Sequence, residues 1–347
     1  MKISVTPLSW KLAEPIATAL GAISVREGLG VGVADYEGAG KGEATPLPQF
    51  GTETLEDASA ALLTWRGPGS LDSVEAIAAA TAVLHRTPAA RHGLELALLD
   101  RLARIRHVPL ARLLCEAPRR EVRCAALIDG PNAASLAQAA ERAVAAGFEV
   151  LKIKVAARTL TVDAQRLLAV RRAVGEKISL RIDANGGWTE SAARTALRGM
   201  ESLGLELCEQ PVAAGDVGGL GRIRGQVPCQ IAADEALLSP EGVQAFFSPD
   251  RRPAADVVVL KPMALGGLLP ALALARRAHQ AGVGAYVTTL LDGPLARAAA
   301  AHLAAAIPQG DWANGLATVE LFEGCVPDAF TPVRGRIRIP TAEGLGV

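Results

Sequence analysis

The feature that most constrains the fold is an alternation of short apolar strands with alanine-rich amphipathic helices from Glu121 onward. Strands show apolar residues at period two or as continuous runs, whereas helices repeat them at period 3.6. The predicted strands are Val122–Ile128, Val150–Val155, Ser179–Asp183, Glu206–Glu209, Gln230–Asp234, Asp256–Lys261 and Gly284–Thr289, and the predicted helices are Ala133–Ala146, Val162–Val174, Glu190–Leu203, Leu268–Ala281 and Pro294–Ala306.

Seven strand–helix units, with an eighth strand near Thr318–Phe322, favour a (β/α) barrel over an open doubly wound sheet. The first strand is followed by DGPNAAS rather than by the glycine-rich fingerprint of a dinucleotide-binding sheet. We therefore predict an α/β fold, a modified (β/α)7β-type TIM barrel.

The residues before the barrel have a different order. Three strand-like stretches come first, at Ile3–Ser9, Ile23–Val25 and Val31–Tyr36, and helical patterns follow at Leu55–Trp65, Ser73–His85 and Gly93–Leu102. Strands followed by helices are typical of an α+β domain. We predict an α+β capping domain at 1–119 and a catalytic barrel at 120–324, with 325–347 (which contains the strand-like RGRIRIP) returning to the capping domain.

Five consecutive barrel strands end in charged residues. In chain order these are Lys152 and Lys154, Asp183, Glu209, Asp234, and Lys261. From Asp183 onward the successive separations are 26, 25 and 27 residues, about the length of one strand–helix unit. Catalytic groups in barrels lie at the carboxyl ends of the strands. The three carboxylates should therefore meet at one mouth of the barrel.

Three converging carboxylates repel one another unless a cation joins them. Asp183, Glu209 and Asp234 offer hard oxygen ligands without histidine or cysteine, which favours Mg²⁺ over Zn²⁺ and leaves Mn²⁺ as an alternative. Mg²⁺ retains open positions for a bidentate carboxylate. We therefore predict a small-molecule carboxylate as substrate.

The lysines flank these carboxylates from two different strands. A second ammonium nearby lowers the pKa of a lysine, so Lys152 should make Lys154 a usable general base. Arg181 lies two residues before Asp183, on the same face, and should add positive charge. A base, a divalent cation and an opposing ammonium, Lys261, suit removal of a proton from the carbon next to a carboxylate.

This ordered set of residues resembles the enolase superfamily, specifically its muconate lactonising branch. The matching pieces are K-I-K at 152–154, D-A-N at 183–185, E-Q-P at 209–211, D-E at 234–235 and K-P at 261–262. The pairing of a lysine base with Mg²⁺ is a general pattern of that superfamily. The resemblance extends over nearly the whole chain, including the capping domain.

Within that branch, three stretches look like the o-succinylbenzoate synthase family. They are GKGEATPLPQFGTETLEDA at 40–58, R-I-D at 181–183 and KPMALGGL at 261–268. The resemblance implies a syn elimination of water from 2-succinyl-6-hydroxy-2,4-cyclohexadiene-1-carboxylate in menaquinone biosynthesis. Lys154 would act as base and then acid, Lys261 would stabilise the enediolate, and Asp183, Glu209 and Asp234 would bind Mg²⁺.

Other residues near the strand ends are candidates for substrate contacts. Asn185 follows the Asp183 strand end, as a substrate ligand or a helix cap. Thr288 and Thr289 stand where the family pattern would have serines, so their hydroxyls would bind an anion. The small apolar loop Glu14–Gly21 should lie over the site, either lining the pocket or as a plain mobile loop.

Three alternatives remain at this point. One is racemisation of N-acylamino acids or epimerisation of dipeptides on the same scaffold, with Lys154 and Lys261 as bases on opposite faces. Another is a Schiff-base aldolase that uses a lysine of the sixth strand, which leaves the carboxylates unexplained. The third is a non-catalytic homologue, which gives no reason for the lysine pair.

Composition excludes several other classes. The 36 basic and 36 acidic residues give no net charge, which argues against a nucleic acid partner or an anionic membrane surface. The five cysteines are scattered and odd in number, which predicts free thiols in a reducing compartment. Neither a signal peptide nor a membrane span is evident, so we predict a cytoplasmic enzyme of open oligomeric state.

Overall fold

The computed structural model describes residues 1–18, 21–68, 71–250, 252–308, 311–324 and 326–347. The strands are β1 Lys2–Thr18, β2 Gly21–Ala34, β3 Ala39–Ala44, β4 Glu121–Arg123, β5 Ala126–Ile128, β6 Val150–Lys154, β7 Ser179–Asp183, β8 Leu205–Glu209, β9 Gln230–Ala233, β10 Val257–Leu260, β11 Gly284–Val287 and β12 Arg336–Arg338. The α-helices are α1 Leu55–Thr64, α2 Val74–Thr81, α3 Pro88–Ile105, α4 Leu110–Leu114, α5 Ala133–Ala145, α6 Leu160–Val174, α7 Glu190–Gly199, α8 Val217–Ile223, α9 Pro240–Phe246, α10 Pro262–Leu265, α11 Leu268–Gln280 and α12 Pro294–Ala306.

The strands β5 to β11 form one curled parallel sheet in chain order, with a helix after each strand. A short extended segment lies between the two outer strands of this sheet. Gly315 donates its N–H to Val287 of β11 at 2.9 Å, and Ala125 donates to the carbonyl of Asn314 at 2.9 Å. The segment therefore links both edges, which brings the carboxyl ends of all seven strands around one mouth.

The predicted eighth strand at Thr318–Phe322 is wrong. A 3₁₀ helix occupies Val319–Leu321, and the pairing segment lies a few residues earlier, at 314–315. The linking segment has the sequence Trp-Ala-Asn-Gly-Leu, and this short run carries no alternating apolar pattern. Its strand character comes from hydrogen bonds to β11 and to the residues before β5, which only the closed sheet supplies.

The N-terminal part is an antiparallel sheet of β1, β2 and β3. The two predicted strands at Ile23–Val25 and Val31–Tyr36 belong to the single strand β2, and β3 was not predicted. Much of the predicted loop Glu14–Gly21 is also strand, because β1 continues to Thr18 and β2 begins at Gly21. Residues 19 and 20 of that loop lie outside the described residues.

Helix α3 packs directly on β3 because β3 has glycine at both points of contact. A methyl group added at Gly42 would overlap the carbonyl oxygen of Gly93, and one added at Gly40 would overlap that of Ala97. Glycine is required at such close backbone approaches. This contact holds β3 against α3. It therefore also positions the start of residues 45–50, which follow β3 directly.

The C-terminal segment pairs with residues at the junction of the two predicted domains. Strand β12 is antiparallel to β4, and Leu345 donates its N–H to Asp100 on α3 at 2.8 Å. The predicted strand in RGRIRIP is therefore present. The boundaries 1–119, 120–324 and 325–347 stay a prediction, and Cys325 lies outside the described residues. No described helix combines the length and the apolar character needed to cross a membrane.

Candidate active site

Strand register places the charged residues side by side at the mouth of the barrel. Lys154 on β6 is in register with Asp183 on β7, and Asp183 is in register with Glu209 on β8. Side chains alternate between the two faces of a strand, so these three share the inward face. Asp234 follows β9 directly, and Lys261 follows β10 directly.

Lys152 lies between two buried carboxylates. Its Nζ is 2.9 Å from Oδ2 of Asp183 and 2.7 Å from Oε1 of Glu209. Burial alone would lower the pKa of Lys152, but Asp183, Glu209 and Asp234 raise it above its ordinary value. Lys152 is thus held as an ammonium ion. Its contacts are with carboxylates, and its predicted influence on Lys154 stays a prediction.

Glu209 receives hydrogen bonds on both carboxylate oxygens. Lys152 donates to Oε1, and the hydroxyl of Tyr286 on β11 donates to Oε2 across the barrel. Burial would raise the pKa of Glu209, but Lys152 and Lys261 lower it to about 2. Burial and the charge of Glu209 raise the pKa of Tyr286, so the phenol remains a donor.

Lys261 forms a buried ion pair on the other side of the mouth. Its Nζ is 2.5 Å from Oδ2 of Asp234, and it lies 5.6 Å from the ring centroid of Phe50. Burial would lower the pKa of Lys261, whereas Asp234 and Glu235 raise it above its ordinary value. The second oxygen of Asp234, Oδ1, is buried and has no hydrogen-bond partner within the described part of the chain.

Gln210 positions the backbone of Asp234. Its Oε1 accepts hydrogen bonds from the N–H of Asp234 at 3.0 Å and from that of Ala236 at 3.1 Å, and its Nε2 donates to the carbonyl of Val212 at 2.7 Å. Gln210 adopts φ 39°, a left-handed conformation that non-glycine residues seldom take. Strain of this kind persists only where the surroundings hold it.

Lys154 reaches the mouth from β6, on the flank opposite Lys261. Its Nζ donates to Oδ1 of Asn185 at 3.1 Å, and Asn185 donates through Nδ2 to Oε1 of Glu235 at 3.0 Å. Asp183 on β7, Glu209 on β8 and Asp234 directly after β9 lie on the strands between them. Two lysines therefore face a group of carboxylates from opposite flanks.

A pocket opens over these groups and is apolar on its other sides. The polar residues that line it are Lys152, Lys154, Asp183, Asn185, Glu209, Lys261, Thr288, Thr289 and Thr318. The apolar lining comes from the N-terminal part (Ile16, Ile23, Leu47 and Phe50) and from the barrel and the residues after it (Leu127, Leu290, Leu291, Ala317 and Leu321). The hydroxyls of Thr289 and Thr318 are buried and unpartnered within the described residues.

Arg181, which we predicted to add positive charge to the site, does not line this pocket. It shares the inward face with Asp183 but starts two residues deeper, roughly 7 Å along the strand. Its guanidinium stacks 5.0 Å from the ring centroid of Tyr286 and donates to Glu206 and to the carbonyl of Ala313. Arg181 therefore lies inside the barrel, deeper than the residues that line the pocket.

The three strand-end carboxylates have the chemistry that a hard divalent cation prefers in its ligands. Asp183, Glu209 and Asp234 are buried, and these three carboxyl groups outnumber the two lysines paired with them, Lys152 and Lys261. The unpartnered Oδ1 of Asp234 is a free ligand. However, no group of three or more His, Cys, Asp or Glu side chains among the described residues is arranged to hold a metal. The three carboxylates are paired with Lys152 and Lys261. The predicted metal site stays a prediction.

The sequence pattern did not predict three residues that support the site: Tyr286, Gln210 and Glu235. Tyr286 lies two residues before Thr288 and so shares its inward face, which was a usable signal. Gln210 and Glu235 belong to the E-Q-P and D-E motifs, but their contacts depend on how neighbouring strands meet.

A barrel with charged groups at the carboxyl ends of its strands, and a pocket completed by a strand-rich N-terminal part, defines a class of barrel enzymes. Comparison with known families agrees. Residues 135–347 match the family model described as "Enolase C-terminal domain-like", and residues 16–101 match "MenC, N-terminal domain".

Individual relatives cover most or all of the chain. L-Ala-D/L-Glu epimerase from Bacillus subtilis is 30% identical over 100% of this chain and 96% of its own. Chloromuconate cycloisomerase CbnB from Cupriavidus necator is 29% identical over 89% of this chain and 85% of its own. N-succinyl-L-Arg/Lys racemase from Bacillus cereus is 28% identical over 80% of this chain and 72% of its own.

Solved structures of related enzymes also superpose on this chain over nearly its whole length. The substrate-liganded B. subtilis epimerase superposes with a TM-score of 0.91 at 28% identity, covering 100% of this chain and 98% of the other. A dipeptide epimerase from Enterococcus faecalis complexed with Mg and a dipeptide superposes with a TM-score of 0.89 at 28% identity, covering 99% and 98%. The chain belongs to the enolase superfamily, in its muconate lactonising branch.

Proposed function

We propose that this enzyme moves the α proton of an N-acylated amino acid, interconverting its two enantiomers with the help of Mg²⁺. The observation that carries the proposal is the position of Lys154 and Lys261 on opposite flanks of the pocket. A proton removed from one face of an α carbon and returned to the other requires one base on each face. The racemases and epimerases among the relatives support this choice over dehydration.

The role of each residue follows from its contacts. Asp183, Glu209 and Asp234 would hold the divalent cation, which would bind the substrate carboxylate and stabilise the negative charge formed when the α proton leaves. Lys154 would hold or release a proton on one face and Lys261 on the other. Lys261 is paired with Asp234. We expect this pair to open when Asp234 binds another cation, so proton transfer should require the metal.

The pocket favours an acylated amino group over a free one. A free dipeptide carries an ammonium group, which needs an anionic partner when buried. The carboxylates among the described lining residues are Asp183 and Glu209, and both are paired with Lys152. By contrast, the hydroxyls of Thr289 and Thr318 are free to donate to an amide or acyl carbonyl. This is why we place N-acylamino acids, such as N-succinyl derivatives, ahead of dipeptides.

The test is solvent exchange. Each enantiomer of an N-succinylamino acid is incubated with enzyme in D₂O, and loss of the α-proton signal is followed by NMR, with Mg²⁺ or with EDTA. We expect exchange from both enantiomers with Mg²⁺ and none with EDTA. Lys154→Ala and Lys261→Ala should each abolish racemisation. No exchange from either enantiomer would reject the proposal.

A second candidate is the dehydration performed by o-succinylbenzoate synthases. It is favoured by the match of residues 16–101 to the MenC N-terminal domain, since Ile16, Ile23, Leu47 and Phe50 of that region line the pocket. An absorbance assay for aromatisation of the cyclohexadiene carboxylate tests it directly.

Lys261→Arg separates the two functions. Arginine keeps the positive charge but does not release a proton at working pH. Racemisation, in which Lys261 must act as a base, should be lost in this variant. Dehydration, in which Lys261 only stabilises negative charge, should be retained in part.

A further inference from the structure

A second buried polar group lies where the N-terminal part meets the loop after β11. Its members are Arg26 on β2, Glu43 on β3, Thr45, and Asp292 in the loop, and each is at most 3% exposed. None of them lines the pocket. Buried polar groups are costly unless they are hydrogen-bonded, so their contacts indicate what they hold in place.

The two carboxylates hold the backbone around the loop. Glu43 accepts hydrogen bonds from the N–H of Gly293 at 2.7 Å and of Leu295 at 3.1 Å, at the beginning of α12. Asp292 accepts from the N–H of Leu290 at 3.1 Å and from the hydroxyl of Thr45 at 3.3 Å. The N-terminal part therefore holds the end of the loop, at Asp292, and the beginning of α12, at Gly293 and Leu295.

Arg26 holds the middle of the loop. Its Nε donates to the carbonyl of Leu291 at 3.1 Å, Nη1 donates to that of Pro46 at 3.0 Å, and Nη2 donates to that of Thr45 at 2.7 Å. One guanidinium thus joins residues 45–46 to Leu291. The fixed planar geometry of arginine suits this bridging, and lysine cannot reproduce it.

Leu291 adopts a conformation that needs such support. Its φ is 56°, in the left-handed region that disfavours residues with a Cβ. A non-glycine residue stays there only when its surroundings hold it. Leu290 and Leu291 both line the pocket, beside the unpartnered hydroxyl of Thr289. The strained loop is therefore one wall of the substrate pocket.

We propose that Arg26 is a specificity-determining positioning residue, which sets the pocket wall at Leu290–Leu291 and so selects the acyl group of the substrate. Arg26 contacts neither the lysines nor the strand-end carboxylates, so the proton transfer itself does not depend on it. This inference rests on the proposed function, because that function makes the acyl group the occupant of the pocket.

The variants are Arg26→Gln and Arg26→Lys in the full-length chain. Arg101→Gln is the matched control, since Arg101 is also a buried arginine of the N-terminal part, but its partners are Asp35 and Glu37, away from the pocket. Exchange of the α proton is measured on the N-succinyl and N-acetyl derivatives of one amino acid. For Arg26→Gln we expect KM for the N-succinyl substrate to rise about 10-fold or more, with kcat for the N-acetyl substrate within about 2-fold of wild type.

Arg26→Lys should lie between wild type and Arg26→Gln, and Arg101→Gln should leave the ratio of the two substrates unchanged. Equal losses on both substrates for Arg26→Gln, or the same change of ratio in Arg101→Gln, would overturn the inference. If Arg26→Gln does not fold, the ratio measured for Arg26→Lys decides in the same way.

Hydrogen–deuterium exchange of the amides at 288–292 gives a readout that needs no activity. We expect faster exchange there in the Arg26 variants than in wild type or Arg101→Gln. Unchanged exchange in this segment would overturn the inference. A wild-type enzyme that is inactive on both derivatives would reject the proposed function, while the amide exchange would still test the role of Arg26 in holding the loop.

Discussion

Replacement of Lys152 by methionine should destabilise the protein mainly when no divalent cation is present. Lys152 is the shared partner of Asp183 and Glu209, whose side chains are 2% and 1% exposed, and its own side chain is 20% exposed. Removing one member of a buried ion pair leaves a charge uncompensated and costs about 3–5 kcal/mol. Methionine retains most of the volume, so the loss would come from charge rather than from a cavity.

The expected shift in melting temperature follows from the size of the chain. An unfolding entropy of about 2.1 cal/mol/K per residue gives roughly 0.7 kcal/mol/K for 347 residues. A loss of about 3–5 kcal/mol then lowers Tm by about 4–7 °C. Thermal unfolding in EDTA measures this shift. Lys11→Met is the control, because Lys11 pairs with Glu323 on the surface, where ion pairs contribute little.

Two conditions should reduce the deficit. Mg²⁺ should restore much of the lost stability, since Asp183 and Glu209 would then bind that cation. Low pH should also reduce it. The lowered pKa of Glu209, about 2, stabilises the wild-type fold above the unfolded value near 4.5 and loses this contribution as pH falls from 4.5 toward 2. A Tm in EDTA equal to that of Lys11→Met would refute the argument that Lys152 compensates these carboxylates.

Three further results should follow from the structure. Tyr286→Phe removes the phenol that donates to Glu209, so affinity for Mg²⁺ measured by calorimetry should fall about 10–100-fold, and an unchanged affinity would contradict this support. Gln210→Leu leaves the buried N–H groups of Asp234 and Ala236 unpaired, so the free energy of unfolding measured in urea should fall by about 1–3 kcal/mol. A negligible change would indicate that water replaces the amide. Burial lowers the pKa of His92 and of His302 to about 4, so the stability of the fold should decline as pH falls below about 6.5. His302→Gln should flatten that part of the profile of Tm against pH. A profile identical to that of wild type would show that His302 does not contribute.

Much of the barrel was predictable from local pattern. The predicted strand Ser179–Asp183 and the predicted helix Pro294–Ala306 match the structure residue for residue. Other elements shift by a few residues, as Val162–Val174 does against α6 at Leu160–Val174. Short helices such as α8 and α9 were not predicted, because seven residues rich in glycine or opened by proline carry too little periodic signal.

The candidate active site was also predictable in part. Charged residues spaced by one strand–helix unit predicted which side chains meet at the mouth, because parallel strands of a barrel end at one edge. Their pairing was not predictable. Lys152 binds two carboxylates and Lys261 binds Asp234, and each choice depends on register and side-chain reach. Arg181 lies on the predicted face but deeper in the barrel than the residues that line the pocket.

By itself, the sequence determined the type of fold, the superfamily it resembles and the charged residues available to the site, since these follow from periodicity and from spacing along one chain. Only the tertiary structure decided which groups touch. The apolar pocket wall from β1 and β2, the phenol of Tyr286 on Glu209, and the hold of Arg26 on Leu291 join residues far apart in sequence. Such contacts arise when distant elements pack, and no local pattern records them.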